Sequence, residues 1–294
     1  MTELFVCPIC GGSSSRLRHA VPLQIRDCTC GLTFLWPRPT AGELSEIYSE
    51  EYYRSWGVAG EDEASPRSMK HRTFTARLDA LAGHMVPGKV LDIGCATGFF
   101  LEVARKRGWD VYGVELSVYS AGLAQKKFGE RVYNGTLENA GFADETFDLV
   151  ALSDLLEHVP SPLSFLKEVW RILKPGGMVM IVTPNAASVT ERLMRGKWSH
   201  YKSEHLYYFS PTTVETCLVR ADFTPVVIKP APKYLNLEYI VRQFTNYPHP
   251  LLTPVLKTIG RLLPRGISTS NFPVLCGEMM ALARKDASAR RKRG

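Results

Sequence analysis

The 294-residue sequence contains no apolar run approaching the ~20 residues that a membrane-spanning helix requires, so no such helix is expected. Its first residues, Met-Thr-Glu-Leu-Phe-Val-Cys, lack a charged leader followed by an apolar core, and the chain is read as cytoplasmic. No internal repeat is present. The charge balance has little in it beyond one segment: Arg284 to Arg293 holds six basic residues against one acid, +5 of the formal +7. The rest is close to neutral, at about +2, and no basic-aromatic stripe runs through it. Nucleic acid is therefore not the expected partner. The basic tail reads first as a solvated, disordered terminus and second as a contact for an anionic partner.

What the sequence does have is a globular composition, 45% hydrophobic, long enough for one large domain or two modest ones. Its most informative stretch is Lys89 to Phe100, K-V-L-D-I-G-C-A-T-G-F-F. Val90, Leu91 and Ile93 mark a strand that delivers the carboxylate of Asp92 into a loop with glycines at Gly94 and Gly98. The helix expected over Phe99 to Arg107 points its positive end at whatever the loop holds. A dinucleotide fingerprint, G-x-G-x-x-G, would place Ala96 and Phe99 at its second and third glycines, and that match fails.

The spacing D-x-G-x-A-x-G, with Glu115 lying 21 residues past Gly94, resembles the first two motifs of class I S-adenosylmethionine-dependent methyltransferases. Asn134-Gly-Thr-Leu-Glu138, the run Phe147 to Val159 and Lys174-Pro-Gly-Gly177 resemble, in order, that family's adenine loop, fourth strand and turn into the fifth strand. The resemblance implies S-adenosylmethionine as cofactor, held by Asp92, Gly94, Cys95, Ala96, Gly98, Glu115, Leu116, Leu137, Glu138 and Ser153. Asp92 suits the ammonium of the methionine end, and Glu115 suits the two ribose hydroxyls. Many members carry an acid where Thr136 stands, so adenine contacts are expected from the backbone near Leu137.

Four of the seven cysteines fall in the first thirty residues, as Cys7-Pro-Ile-Cys10 and Cys28-Thr-Cys30. Such clustering points to a metal rather than to disulfides. The arrangement resembles the N-terminal zinc ribbon that precedes many small-molecule methyltransferases. It implies a structural Zn²⁺ on Cys7, Cys10, Cys28 and Cys30, with no position left for water. The second pair departs from the usual C-x-x-C, because Asp27 stands where the third ligand is expected. Asp27 or Cys28 completes the set.

Alternating strands and helices from Val90 to Thr183 give an α/β fold: a doubly wound, mostly parallel, seven-stranded Rossmann-like sheet. The expected division is a zinc ribbon over 1–39, a helical linker and pre-core helix over 40–86, and a methyltransferase core over 87–285 with a helical lid insertion at 230–276. A basic tail over 286–294 completes it. Within the lid, Leu237, Ile240, Val241 and Phe244, then Leu251, Leu252, Val255, Leu256, Ile259, Leu262 and Leu263, recur at helical spacing. They read either as a cover packed on the sheet edge or, over 235–263, as an interfacial membrane contact that gathers a lipid-linked substrate.

Methyl transfer needs alignment and, for a hydroxyl, a base. His158, after the fourth strand, and His205, after the fifth, are the catalytic candidates; their other readings are a turn cap and an anchor for the aromatic segment Tyr207 to Phe209. Asp154, Glu157 and His158 also resemble the E-x-x-E-H set of ubiquinone-pathway O-methyltransferases, which implies a second metal as a further option. The expected function is methyl transfer from S-adenosylmethionine to a small-molecule or lipid-linked metabolite, most plausibly at oxygen. An RNA methyltransferase and a non-catalytic cofactor-binding module are the alternatives.

Overall fold

A computed structural model describes residues 5–20, 22–40, 42–43, 64–246 and 252–286. Most of the helical linker expected from residue 40, Leu251 and the basic tail from 287 onward lie outside the described residues. Where the linker begins, the Thr40 amide donates to the Glu43 carboxylate at 2.7 Å and the Thr40 hydroxyl accepts the Glu43 amide at 3.3 Å, the reciprocal pair of a capping box.

Ser15–His19 (β1), Ile25–Cys28 (β2) and Thr33–Leu35 (β3) form an antiparallel meander. Helix α1 (Ala64–Asp79) follows, shorter than its apolar pattern suggests, with Leu81 and Met85 in the turns beyond it. Then come β4 (Lys89–Ile93), α2 (Phe99–Lys106), β5 (Asp110–Glu115), α3 (Val118–Phe128), β6 (Val132–Asn134), β7 (Phe147–Ser153), α4 (Pro162–Ile172) and β8 (Leu173–Pro184). The chain continues through α5 (Val189–Met194), β9 (Tyr207–Tyr208), α6 (Pro211–Arg220), β10 (Phe223–Pro230), β11 (Lys233–Leu235), α7 (Leu237–Asn246), α8 (Leu252–Leu262), α9 (Arg265–Ser268), β12 (Phe272–Val274) and β13 (Glu278–Lys285).

Seven strands make the central sheet in the order β10-β13-β8-β7-β4-β5-β6, with β13 antiparallel to both neighbours and the other adjacent pairs parallel. Alternate residues of each strand enter opposite cores. Leu91, Ile93, Val150 and Leu152 pack with α4 and α6, while Val90, Leu149, Ala151 and Met180 pack with α1, α2 and α3. Both faces are thus covered, which is why the strands read as near-continuous apolar runs. Each fully buried aliphatic side chain contributes roughly 1.5–3 kcal/mol to holding these layers together.

Two local devices place the site at the carboxyl ends of the strands. The loop after β4 alternates through left-handed backbone at Gly94, Ala96 and Gly98, with φ of 74°, 48° and 85°. At Gly98 a Cβ would lie 2.7 Å from the Phe128 ring, so only glycine lets α2 start so close to α3. Ser117 starts α3 by accepting the Ser120 amide, at 3.3 Å.

The ribbon is not a closed three-stranded unit. Its sheet runs β1-β2-β3-β9, and the fourth strand comes from the excursion that follows β8. The lid insertion is helical as expected, but it also carries a two-stranded β11-β12 ribbon. It rests on α1, since the Thr73 hydroxyl accepts the Tyr234 amide at 2.9 Å and Asn271 donates to Ser68 at 2.8 Å. No helix among the described residues is long and apolar enough to cross a membrane.

Candidate active site

The donor side is built from the ends of β4, β5 and β7. Asp92 is buried beside Gly113 of β5 and Ala151 of β7, and its Oδ1 has no hydrogen-bond partner. Burial, with Glu115 nearby, holds its carboxyl well above the usual carboxylate range against the pull of Arg77. Glu115, also buried, spends both oxygens on the loop: Oε2 accepts the Ala96 amide and Oε1 the Ser117 amide, each at 2.8 Å. Burial raises its pKa in spite of those two bonds. A carboxylate has about four lone-pair sites, so the bonds fix its plane and leave capacity for a diol. Ser153 ends β7 with a buried hydroxyl that has no partner.

Arg77, from α1, was not singled out by sequence reasoning. Its side chain is 5% exposed, it lies over Phe74, and Nη2 reaches Glu278 at 3.4 Å and Asp154 at 3.8 Å. Its Nε has no partner. The available signal was a cation directly before Leu78 on the buried side of α1. Orphaned polar atoms on Asp92, Ser153 and Arg77 fit a zwitterion, an ammonium for Asp92 and a carboxylate for Arg77, better than they fit a closed core.

The remaining donor-side expectations divide. Leu116 is 61% exposed beside Glu115, and Asn134 ties the two together by donating to both of their carbonyls. Leu137 is buried in the core and Glu138 is exposed. Cys95 is a correction. Its thiol packs against Gly113 and Leu101 inside the α1–α3 core, burial pushes it well above the ordinary thiol range, and its amide is spent on the Val114 carbonyl. Its carbonyl in turn accepts the Gly98 amide at 2.9 Å.

The acceptor side is formed where the turn after β7 meets the excursion after β8. The imidazole rings of His158 and His205 meet edge to face, with centroids 4.7 Å apart, and a ligand atom from each lies within 4.8 Å of a Glu157 oxygen. His158 Nδ1 is 3.0 Å from the Glu204 carbonyl, which can only accept, so Nδ1 carries the proton and Nε2 the lone pair. Burial lowers the pKa of both rings, for His205 well below the usual range with His158 and Lys202 adding to the effect. Glu157 is fully buried, accepts the Thr183 hydroxyl at 2.8 Å, and is pushed up to about 8 by burial and by Asp154. Its Oε1 and His205 Nδ1 have no partner.

Asp154 does not join this cluster. It adopts φ 54° and turns towards Arg77 and Lys233; despite partial desolvation these cations hold its carboxyl well below the usual range. Lys233, at the base of the lid, also pairs with Glu278. The Asp154, Glu157, His158 set is thereby corrected to Glu157, His158, His205, because the left-handed turn at Asp154 points it away. His200 is held elsewhere, 3.0 Å from the Cys276 carbonyl at the end of the lid.

A family model described as "Methyltransferase domain" matches residues 67–228, which span α1, the donor loop and both histidines. The chain belongs to this family. It carries a methyltransferase domain. Among curated proteins it is similar to the ubiquinone biosynthesis O-methyltransferases of Azoarcus sp. strain BH72, 34% identical over 47% of this chain and 60% of that protein, and of Aeromonas salmonicida strain A449, 30% identical over 49% and 63%. The chain thus spans about 60% of the length of these two relatives. Among solved structures it is similar to an S-adenosylmethionine-dependent methyltransferase from Archaeoglobus fulgidus, TM-score 0.54 at 18% identity over 81% of this chain and all of that one. It is also similar to the [4+2]-cyclase SpnF, TM-score 0.56 at 16% identity over 85% and 98%. Likeness at this level speaks for the methyltransferase fold alone.

In the methyltransferase ribbon the four thiols converge: Cys7 Sγ lies 3.6 Å from Cys30 Sγ, Cys10 Sγ 3.5 Å from Cys28 Sγ, and all four lie within 4.8 Å of one another. Tetrahedral Zn–S bonds of about 2.3 Å place sulfurs roughly 3.8 Å apart, so the set fits that ion. The Gly12 amide points at Cys10 Sγ, 3.4 Å away, and lowers its pKa to about 7, while burial raises Cys7 and Cys30. Asp27 instead accepts Thr33 at 2.8 Å and Arg18 at 3.1 Å, which leaves the fourth position to Cys28. Cys28 reaches the cluster because its amide bonds to the Leu32 carbonyl and the Gly31 amide to its own, curling the short knuckle inward.

Proposed function

We propose that this methyltransferase moves the methyl group to an oxygen of a small-molecule or lipid-linked metabolite, with His158 as the base. The carrying observation is the buried, neutral imidazole pair at the end of β7, with the His158 tautomer fixed by the Glu204 carbonyl. Asp92 and Arg77 hold the ammonium and carboxylate of the donor's methionine end, and Glu115 with Leu116 holds ribose and adenine. Gly94, Ala96 and Gly98 keep the loop backbone close. His158 Nε2 takes the proton from the acceptor hydroxyl as its oxygen bonds the methyl carbon and the sulfur–methyl bond breaks. S-adenosylhomocysteine and imidazolium remain. His205 packs edge-on against that ring and sets its plane. The two relatives named for ubiquinone biosynthesis support a quinone-like or phenolic acceptor.

The lid supports the lipid-linked part of this reading. Between Glu238 and Glu278 there is no acid, while Arg242, Lys257, Arg261 and Arg265 lie among exposed Val255, Ile259, Leu262 and Ile267. An amphipathic basic hairpin suits an anionic bilayer surface.

One observation favours a second reading. Glu157, His158 and His205 are spaced to hold a divalent ion, which would supply Lewis-acid activation of the acceptor hydroxyl. Zn²⁺ at the four cysteines is structural in either reading.

Isotope-labelled methyl transfer into a lipid and metabolite extract, followed by mass identification, tests the proposal. Label is expected in an oxygen-methylated lipid fraction, and His158→Gln is expected to lose at least 100-fold in rate with donor affinity kept. Label appearing in RNA, or an unimpaired variant, would sink it. Retention of full rate after exhaustive chelation removes the second reading.

A further inference from the structure

The residue that follows His205 is held from both sides. The Leu206 amide donates to the Glu157 carbonyl at 2.9 Å, and the Leu206 carbonyl accepts the Leu35 amide of the ribbon at 3.1 Å. Directly after it, Tyr207 and Tyr208 pair antiparallel with Phe34 and Thr33. One backbone unit therefore joins the ribbon to the turn that carries Glu157 and His158.

The same ribbon strand leads back to the thiols. Strand β3 pairs with β2 in the register Ile25↔Leu35, Arg26↔Phe34 and Asp27↔Thr33, and β2 ends on Cys28. Side chains repeat the connection. Arg18 reaches Asp27 and Thr33 on its own sheet, and Ala186 and Glu191 on the excursion after β8. Glu191 is buried and accepts the Tyr201 hydroxyl at 2.9 Å, and Tyr201 packs on Tyr208. Arg38 donates to the Tyr207 hydroxyl, which in turn donates to the Pro160 carbonyl in the turn beyond His158.

We propose that the ribbon is the positioning wall of the methyl-transfer site, so that the state of the four-cysteine cluster sets where His205, and through it His158, stands. A metal-filled cluster fixes the end of β2, β2 fixes β3, and β3 supplies the partner strand without which Tyr207 and Tyr208 have no sheet. Losing the metal loosens that strand and lets the His205 segment drift from Glu157. The donor loop, built on β4 and β5 across the sheet, is untouched by this path. The inference rests on the proposed roles of His158 and His205 only for its effect on rate.

Imidazole nitrogen NMR of the full-length chain tests it without needing turnover, with S-adenosylmethionine affinity measured on the same samples. In the Cys7→Ser, Cys10→Ser double variant, with metal loss confirmed by elemental analysis, the His158 and His205 signals are expected to shift or broaden. His71 and His84 should stay in place, and donor affinity should remain within about twofold. Arg18→Met leaves every cysteine intact and is expected to move the same two signals by less. Unmoved His158 and His205 signals in a metal-free chain overturn the proposal. So does the joint loss of all histidine signals and of donor binding, which would make the ribbon a general stabiliser. If the signals move as expected but His158→Gln keeps full rate, the wall stands and the assignment of the base falls.

Discussion

Asp92 sits in the folded chain with a carboxyl held well above the carboxylate range by burial. Its folded pKa exceeds its unfolded one, so the native state binds the extra proton between the two. Stability is therefore lost as pH rises through that window. Asp92→Asn removes the cost, and the ligand-free variant is expected to melt roughly 2–4 °C higher at neutral pH. It should also bind S-adenosylmethionine at least tenfold more weakly, because the ammonium loses its counter-charge. Calorimetry of both properties checks this; a variant that binds as wild type removes Asp92 from the methionine end. Glu115→Gln keeps one acceptor for the loop amides but not the paired geometry, and a tenfold or greater loss of donor affinity is expected. At His158, burial lowers the pKa from 6.5, so the acid limb of the rate profile should fall below pH 6.5 and vanish in His158→Gln. A limb above that value would mean that another group titrates. Asp92, Glu115 and His158 were legible because motif spacing fixes where they emerge from a strand. His205 was a candidate in its own right, but its contact with His158 was not legible, since a ring contact across 47 residues of chain has no local signature.

At the scale of elements, legibility followed burial. Strand β8 starts at Leu173, ahead of its apolar run and through Lys174 to Gly177, but β4, β5, β7 and most of β8 are covered on both faces and their apolar runs announce their type. Strands β1 and β9 do not. The sequence Ser-Arg-Leu-Arg-His of β1 is half exposed, and the two residues of β9 become a strand only because the ribbon lies beside them. The lid was legible as helices from its spacing, yet its seat on α1 involves single hydrogen bonds donated to Thr73 and Ser68 by Tyr234 and Asn271. The exposed basic hairpin α7–α8 carries its own prediction. Vesicles rich in anionic lipid should retain the protein at low salt and release it as salt rises, and neutral vesicles should not. Replacing Lys257, Arg261 and Arg265 with Ala should reduce that retention at least tenfold while leaving donor affinity unchanged. Equal retention on neutral vesicles would remove the electrostatic part.

For the whole molecule, the expected division at residue 39 meets a shared core. Phe5, Cys7, Ile9, Leu32 and Phe34 of the ribbon are buried with Tyr207, Phe209, Val214 and Cys217 of the methyltransferase core, and Arg220 of α6 donates to the Ile9 carbonyl. Each such side chain contributes roughly 1.5–3 kcal/mol on burial. The zinc-loaded chain is therefore expected to unfold in one calorimetric transition, with equal calorimetric and van't Hoff enthalpies. Two separable transitions, the first tracking the ribbon metal, would restore the sequence-level division.

The fourth strand of the ribbon sheet also orders events during synthesis. The thiols and β1 to β3 leave the ribosome well before β9, and their outer edge waits for residues some 170 positions later before Tyr207 and Tyr208 can cover it. An exposed strand edge is a template for wrong partners, and such long-range pairing is slow. The nascent ribbon is thus the vulnerable part of a growing chain, open to oxidation and to pairing with its neighbours until the excursion after β8 has been made.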